Sequence, residues 1–279
     1  MAHPHSARWP VTRISAQDVA AQLARVRLQR PLVHHITNLV TMNDVANTTI
    51  ALGASPVMAH AREEVEEMAA QAAALVLNIG TLTAEAVDAM VLAGRAANAR
   101  GAPVILDPVG AGATRFRSAQ SRRILAEVRC RCVRGNAGEV AALAGRAGTV
   151  RGVDALGAPR EIEALARGLA EQTGAVVAAT GVEDVVTDGV TTVRIANGHP
   201  LLARITGSGC MATAAVAAFA AVEPDALAAA VAGLVCFEVA AEDAAERASG
   251  PGTFRAALID ALDALDGPAV LRRARMTVE

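Results

Sequence analysis

The residues most able to do chemistry lie in the segment Thr206-Gly207-Ser208-Gly209-Cys210, which runs into an alanine-rich stretch at 211–222. The two glycines let the backbone fold tightly around a ligand, and the alanine-rich stretch favours a helix. A helix that begins here would present unpaired N–H groups and the positive end of its dipole, which favour a bound anion such as phosphate. Cys210 would then lie at the mouth of an anion site. The alternative is an ordinary tight turn between a strand and a helix, because glycine is common in such turns.

Two acidic residues follow short strands earlier in the chain. Asp107 comes directly after the apolar run at 103–106, where its carboxylate could hold Mg2+ or only cap a turn. Glu139 stands three residues after Asn136, which fits a helix capping box. Because Arg134 also ends a strand there, Glu139 equally suits a metal and phosphate site. The residues alone leave both interpretations open.

Two more strand ends carry polar side chains. Thr180 follows the apolar run at 175–179 and could donate to a phosphate oxygen or satisfy a turn, and Asn38 ends the β-prone run at 32–38. Ligands of open α/β sheets bind along the edge where the strands end. Two carboxylates, an arginine and a helix N-terminus at such an edge match phosphoryl transfer, in which catalysis is mainly positioning and charge neutralisation.

The elements that must position these residues alternate between buried strands and helices. Unbroken apolar runs at 74–79 and 103–106 are typical of parallel strands covered on both faces. Segments 184–187 and 191–195, joined by Asp188-Gly189, predict a β-hairpin. We therefore predict an α/β fold, with a mostly parallel central sheet, helices on both faces and a small antiparallel edge. Helices are predicted at 15–27, 42–52, 63–73, 83–100, 118–128, 160–173, 211–222, 225–248 and 253–265, the last of which closes the fold.

Length and composition favour one soluble domain. The 279 residues fit a loose leader at 1–12 followed by a single domain at 13–279, in which 151–159 is the loosest interior stretch. Aromatic residues make up only 2% of the chain and tyrosine is absent, which argues against stacking of single-stranded nucleic acid. A net charge of -2 provides no broad basic field for a polyanion.

Cysteine usage and hydropathy indicate the compartment. The four cysteines show neither a CxxC pair nor zinc-ligand spacing, so we expect reduced thiols in a cytoplasmic protein. The longest apolar run, 211–222, is too short to cross a bilayer, and no membrane partner is expected.

Five segments together resemble the hydroxyethylthiazole kinase family, over roughly 31–265. They are Pro31-Leu32-Val33-His34-His35-Ile36-Thr37-Asn38, Gly53-Ala54-Ser55-Pro56-Val57-Met58, Leu106-Asp107-Pro108-Val109-Gly110-Ala111-Gly112-Ala113, Arg134-Gly135-Asn136-Ala137-Gly138-Glu139 and Thr206-Gly207-Ser208-Gly209-Cys210.

This resemblance implies a ribokinase-like fold that phosphorylates the hydroxyl of 4-methyl-5-(2-hydroxyethyl)thiazole with Mg-ATP, a step in thiamine biosynthesis or salvage. It also implies a homotrimer with sites at subunit interfaces. By their positions in the family motifs, the substrate contacts would be Met58, Gly207 and Asn38; the ATP contacts would be Arg134, Thr180 and Gly209; and the acidic residues around Mg2+ would be Asp107 and Glu139.

The resemblance makes Cys210 the candidate base, because sugar kinases of the same fold place an aspartate there. We expect the helix N-terminus to lower the pKa of the Cys210 thiol and give partial thiolate near neutral pH. The alternative is that Cys210 only packs under the turn.

Two other functions compete with this one. Another small-alcohol kinase of the fold, such as a hydroxymethylpyrimidine kinase, is disfavoured by Cys210 and the segment at 31–38. A non-catalytic nucleotide-binding or regulatory protein is disfavoured because Asp107, Arg134 and Glu139 are all present beside the glycine turn.

Overall fold

The structure is a computed structural model that describes residues 14–145 and 159–279. Its strands are β1 (Leu32–Ile36), β2 (Ser55–Val57), β3 (Ala74–Asn78), β4 (Val104–Asp107), β5 (Cys132–Asn136), β6 (Val176–Thr180), β7 (Asp184–Thr187), β8 (Thr192–Ile195) and β9 (Met276–Val278). Its helices are α1 (Ala16–Gln29), α2 (Met42–Ala51), α3 (Val65–Gln71), α4 (Ala84–Arg100), α5 (Arg115–Glu127), α6 (Ala137–Leu143), α7 (Pro159–Thr173), α8 (Ser208–Ala220), α9 (Ala226–Arg247), α10 (Pro251–Ala264) and α11 (Gly267–Arg273).

The described strands form one sheet in the order β2-β1-β3-β4-β5-β6-β7-β8-β9. Pairing is parallel from β2 to β6 and antiparallel from β6 to β9. The prediction of a mostly parallel sheet with an antiparallel edge is therefore confirmed. Strand order changes direction at β1, which lies between β2 and β3, and ligands of open α/β sheets bind at such a switch point.

Each face of the sheet is covered by helices, and each face has its own core. Side chains of the central strands alternate between the two, so that Val76 and Ile105 pack with α1, α8, α9 and α10, while Leu77 and Leu106 pack with α3, α4 and α7. This alternation explains why β3 and β4 read as unbroken apolar runs. The alanine content of α8 has a packing reason, because this helix is nearly all buried and lies tightly against α9, where Gly233 meets the backbone of Val216.

Several predicted helix boundaries are wrong by a few residues. Helix α5 begins at Arg115, because the Thr114 hydroxyl caps it by accepting the N–H of Arg117 at 3.1 Å. Helix α8 begins at Ser208 instead of residue 211, so Cys210 lies in its first turn.

The prediction that the helix ending at residue 265 closes the fold is wrong. Helix α11 follows, capped by Asp266, and β9 then pairs with β8 at the sheet edge. Strand β9 has only three residues and is partly exposed, so it lacks the apolar run by which buried strands are recognised. The predicted leader at 1–12 lies outside the described residues, and so does the loose stretch predicted at 151–159, except for Pro159, which begins α7. No helix of the described ranges has both the length and the apolar character needed to cross a membrane.

Candidate active site

Four strands of the sheet, β1, β4, β5 and β6, bring the predicted polar residues to one edge. Asn38 follows β1, Asp107 ends β4, Arg134 lies in β5 and Thr180 ends β6. The N-terminus of α8 lies over this edge, since Cys210 contacts Asn38 and Gly209 lies against Arg134. The geometry thus assembles residues that are up to 172 positions apart in sequence.

Helix α8 begins with a backbone conformation that favours glycine. Gly207 is its N-cap with φ of 87°, and a Cβ there would stand 2.5 Å from Cγ2 of Thr41. A side chain at Gly209 would collide with the Arg134 guanidinium. Because the first N–H groups of a helix have no partner within it, this bare turn exposes donors beside a cation, which is an arrangement suited to phosphate.

Cys210 is buried in a network of side-chain amides. Its Sγ accepts from Nδ2 of Asn38 at 3.4 Å and from Nδ2 of Asn78 at 3.2 Å. Burial raises the pKa of the Cys210 thiol, the negative charge of Asp107 raises it further, and hydrogen bonds from Thr41, Asn78 and Asn38 oppose this shift. The expectation of a lowered pKa is therefore wrong, because desolvation of the thiolate outweighs the helix terminus.

Asp107 is fully buried, and only one of its two carboxylate oxygens accepts hydrogen bonds from the described parts of the chain. Its Oδ2 accepts from Asn78 Nδ2 at 2.7 Å and from the Thr213 hydroxyl at 2.9 Å, whereas Oδ1 has no partner among the described residues. Burial raises the pKa of Asp107 to about 6; the Arg134 charge lowers it and the Glu139 charge raises it. Asp107 is consequently mostly ionised at neutral pH, with one oxygen that has no partner among the described residues.

Glu139 has the capping role that the sequence suggested. Its Oε2 accepts the Asn136 N–H at 2.8 Å, and the Asn136 Oδ1 accepts the Glu139 N–H at 2.9 Å. Its Oε1 accepts the Gly110 N–H at 2.8 Å, which fixes the loop after Asp107. Within the described ranges, no group of three or more His, Cys, Asp or Glu side chains forms a ready metal site.

Arg134 is buried and contacts two of the predicted ATP residues. Its Nη2 donates to the Thr180 hydroxyl, and its Nη1 lies against Gly209. In the described parts of the chain its Nε has no partner. The cation is thus held beneath the start of α8 with hydrogen-bonding capacity to spare.

Met58 lines an apolar wall next to the thiol. It packs with Val109 against a cluster of Val45, Cys210 and Ala214. This wall is a suitable surface for a small apolar ring whose polar end faces Cys210.

Sequence reasoning missed Asn78, which links the site. One Nδ2 group bonds both Asp107 and Cys210, while its Oδ1 accepts from Asn38 at 2.9 Å and from the Gly80 N–H at 2.9 Å. Its signal was a polar residue at the end of an apolar strand, the same signal that identified Asp107.

Comparison with known proteins decides the family. The family model described as the hydroxyethylthiazole kinase family matches residues 23–267. A hydroxyethylthiazole kinase of Moorella thermoacetica is 50% identical over 260 residues, covering 93% of this chain and 97% of its own length. The chain belongs to the hydroxyethylthiazole kinase family.

Solved structures agree with this family assignment. The hydroxyethylthiazole kinase protein of Pyrococcus horikoshii is 44% identical and superposes with a TM-score of 0.87, covering 94% of this chain and 98% of its own. A ribokinase-like superfamily protein of Enterococcus faecalis shares only 14% identity at a TM-score of 0.60, over 94% and 92% of the two chains. The fold of this member of the hydroxyethylthiazole kinase family is therefore ribokinase-like, as predicted.

Proposed function

We propose that this protein transfers the γ-phosphoryl group of ATP to the hydroxyl of 4-methyl-5-(2-hydroxyethyl)thiazole, in thiamine biosynthesis or salvage. Its membership of the hydroxyethylthiazole kinase family supports this activity. The observation that carries the proposal is the hydrogen-bonded chain from Asp107 through Asn78 to Cys210, which lies next to Arg134 at the start of α8.

The phosphates of ATP would bind at the start of α8. Arg134 and Thr180 would contact them from below, and the N–H of Gly209 would donate from the helix terminus. The donors are held by the sheet and helix before ATP arrives, so little reorganisation is needed when charge develops on the transferred group.

Mg2+ would be held between Asp107 and Glu139. The free Oδ1 of Asp107 suits a direct contact, whereas both Glu139 oxygens already accept backbone N–H groups, which suits a contact through water. When bound there, the ion would neutralise charge on the phosphates.

The thiazole ring would pack on the wall formed by Met58, Val45 and Ala214, next to Gly207 and Asn38. Its hydroxyl would point at Cys210, whose thiolate would accept the hydroxyl proton as the oxygen–phosphorus bond forms. The bond from phosphorus to the β-phosphate oxygen breaks, and its electron pair leaves with ADP. In a loose transition state the attacking hydroxyl oxygen forms little bond to phosphorus, so its proton needs only a weak base. A small fraction of thiolate at Cys210 therefore suffices.

We also propose a cytoplasmic homotrimer built from one domain, residues 13–279. Leu39, Val40 and Ile50 are exposed apolar side chains on and before α2, beside the thiazole wall, and a neighbouring subunit would cover them. The mass from light scattering should equal three chains. A Val40→Asp variant should give a smaller mass, and a monomeric wild-type protein would refute the trimer.

One assay tests the proposed activity. ADP formation is measured with the thiazole alcohol, with a hydroxymethylpyrimidine and with no acceptor. We expect turnover with the thiazole alcohol. Turnover with the pyrimidine alone would replace the proposal with a pyrimidine kinase, and absence of turnover with either alcohol would favour a nucleotide-binding regulatory protein.

A further inference from the structure

Two carboxyl groups outside the site described above are buried against each other. Asp184 begins β7 and Glu238 lies in α9, and their exposed fractions are 1% and 7%. The two side chains are in hydrogen-bond contact. Oδ1 of Asp184 accepts the Gly181 N–H at 2.9 Å, but its Oδ2 and Oε2 of Glu238 have no donor in the described residues. Since an ionised carboxylate has no proton to donate, this contact requires one proton between the two groups.

The charges around the pair favour the singly protonated state. Burial raises the pKa of both carboxyl groups, and Arg134 on β5 lowers both. The charge of Glu242, one turn further along α9, raises the pKa of Glu238. Glu242 accepts hydrogen bonds from Arg275 at 2.6 Å and from the Gly198 N–H at 2.9 Å, so its negative charge is compensated by Arg275. With one proton, the pair carries one negative charge.

Arg134 is a buried cation that lacks a direct carboxylate partner. Its exposed fraction is 9%, and it forms no ion pair within 4.0 Å in the parts of the chain that the structure describes. Its neighbour in β6 is Ala178, which pairs with Val186 in β7. Side chains alternate along a strand, so Asp184 shares the face of Val186 and Arg134. Two strand spacings separate β5 from β7, about 10 Å, so the pair acts on Arg134 without touching it.

We propose that Asp184 and Glu238 share one proton and serve as the distant counter-charge of Arg134, which leaves its guanidinium free for the phosphates of a nucleotide. Together with the carboxylate of Asp107, whose pKa the Arg134 charge lowers, the pair balances the buried cation while no ligand is present. A carboxylate in direct contact would occupy the donors that a phosphate needs. Asp184 and Glu238 are therefore positioning residues, and this role rests on the proposed function in that Arg134 binds ATP.

Isosteric variants test the shared proton. Asp184→Asn and Glu238→Gln each keep a hydrogen bond and one negative charge, whereas the double variant keeps the shape and removes the charge. Glu246→Gln, an exposed position on the same helix, is the matched control. The readouts are the infrared band of a protonated carboxyl group, the thermal midpoint, and the affinity for the ATP analogue AMP-PCP by calorimetry.

At pH 8, where Asp107 is ionised, we expect the infrared band in the wild type and the control, and its loss in both single variants. The single variants should keep the AMP-PCP affinity within about threefold. The double variant should lose about 5 °C or more of thermal midpoint without nucleotide and bind AMP-PCP roughly tenfold more tightly, because the phosphates then supply the missing charge.

Three results would overturn the proposal. A rise in midpoint in both single variants would mean that both carboxyl groups are ionised. A double variant that matches the wild type in midpoint and AMP-PCP affinity would mean that Arg134 does not depend on the pair, and absence of the band would remove the shared proton. None of these readouts uses the thiazole alcohol, so wild-type turnover with it judges the proposed function separately.

Discussion

At the scale of single residues, the site is a chain of amides that ties a thiol to a carboxylate. Asn38 is oriented by the Thr41 N–H, which its Oδ1 accepts at 3.0 Å, and its Nδ2 then reaches Asn78 and Cys210. Asn78 uses its two N–H donors on Asp107 and Cys210. The amide nitrogen and oxygen of both asparagines are thus all hydrogen-bonded, and their orientation fixes the position of the thiol.

Asp107→Asn should lower turnover strongly and stabilise the fold. The raised pKa of Asp107, about 6 against 3.8, means that the native state holds this proton more tightly than the unfolded state. Stability from this group is therefore present at low pH and is lost as pH rises towards 6. Removing the charge should add about 3 kcal/mol to the unfolding free energy at pH 8, while turnover falls at least about a hundredfold. Urea unfolding at pH 8 and pH 4 checks this, and no gain at pH 8 would contradict it.

Cys210→Asp should keep turnover near that of the wild type, while Cys210→Ala should lower it roughly a hundredfold. Because burial raises the pKa of the thiol, the wild-type kcat should increase with pH on the alkaline side, and the aspartate variant should lack that increase. The measurement is kcat against pH for the three proteins. Equal rates in all three would remove the base role.

The sequence predicted which residues meet at this site better than it predicted their ionisation. Asp107 and Cys210 were recognised because they stand at the end of a strand and the start of a helix. Arg134 was recognised because it was predicted to end a strand, although β5 continues to Asn136. The direction of the Cys210 pKa shift was wrong because two effects of opposite sign compete there, and the depth of burial is not visible in the sequence. Asn78 was overlooked because it ends an otherwise apolar run.

At the scale of elements, α8 decides where the anion site lies. Its first turn must be bare, since Gly207 lies in the left-handed region and Gly209 touches Arg134. The predicted strands and hairpin are confirmed, because buried runs and Asp-Gly turns are strong local signals. The start of α8 was misplaced and the edge strand β9 was missed. Both depend on contacts with distant segments.

Gly209→Ala should weaken nucleotide use with little loss of stability. The new methyl group would push the Arg134 guanidinium away from the helix start, so KM for ATP should rise about tenfold or more. Gly168→Ala is the matched control, because its Cβ in α7 would meet nothing within 4 Å. Initial rates against ATP concentration make the comparison. An unchanged KM for ATP in Gly209→Ala would contradict the role of this turn.

At the scale of the whole molecule, acid stability should depend on two buried histidines behind the site. His34 bonds the Ala59 carbonyl at 2.7 Å, and His35 bonds the Thr49 hydroxyl at 3.1 Å. Burial lowers the pKa of both, to about 3 for His35. The His35 imidazole is consequently neutral in the native sheet at the pH values where free histidine becomes charged.

His35→Gln should reduce the loss of stability in acid. The unfolded state binds this proton from pH 6.5 downwards, whereas the native state resists it until about pH 3, so stability falls across that window by roughly 5 kcal/mol. Asp107 acts in the opposite direction between pH 6 and 4, so the comparison must be between variant and wild type at each pH. Urea midpoints from pH 8 to 4 provide it, with His199→Gln as the exposed control. Parallel curves for His35→Gln and wild type would contradict the prediction.

The central claim is that one rim of the sheet holds a nucleotide triphosphate opposite the hydroxyl of a small thiazole. A crystal structure with AMP-PCP, Mg2+ and the thiazole alcohol measures this directly. We expect the γ-phosphate between Arg134 and the Gly209 N–H, with the alcohol oxygen in hydrogen-bond distance of the Cys210 thiol. An alcohol oxygen that lies away from Cys210, or a triphosphate that does not contact Arg134, would contradict the account.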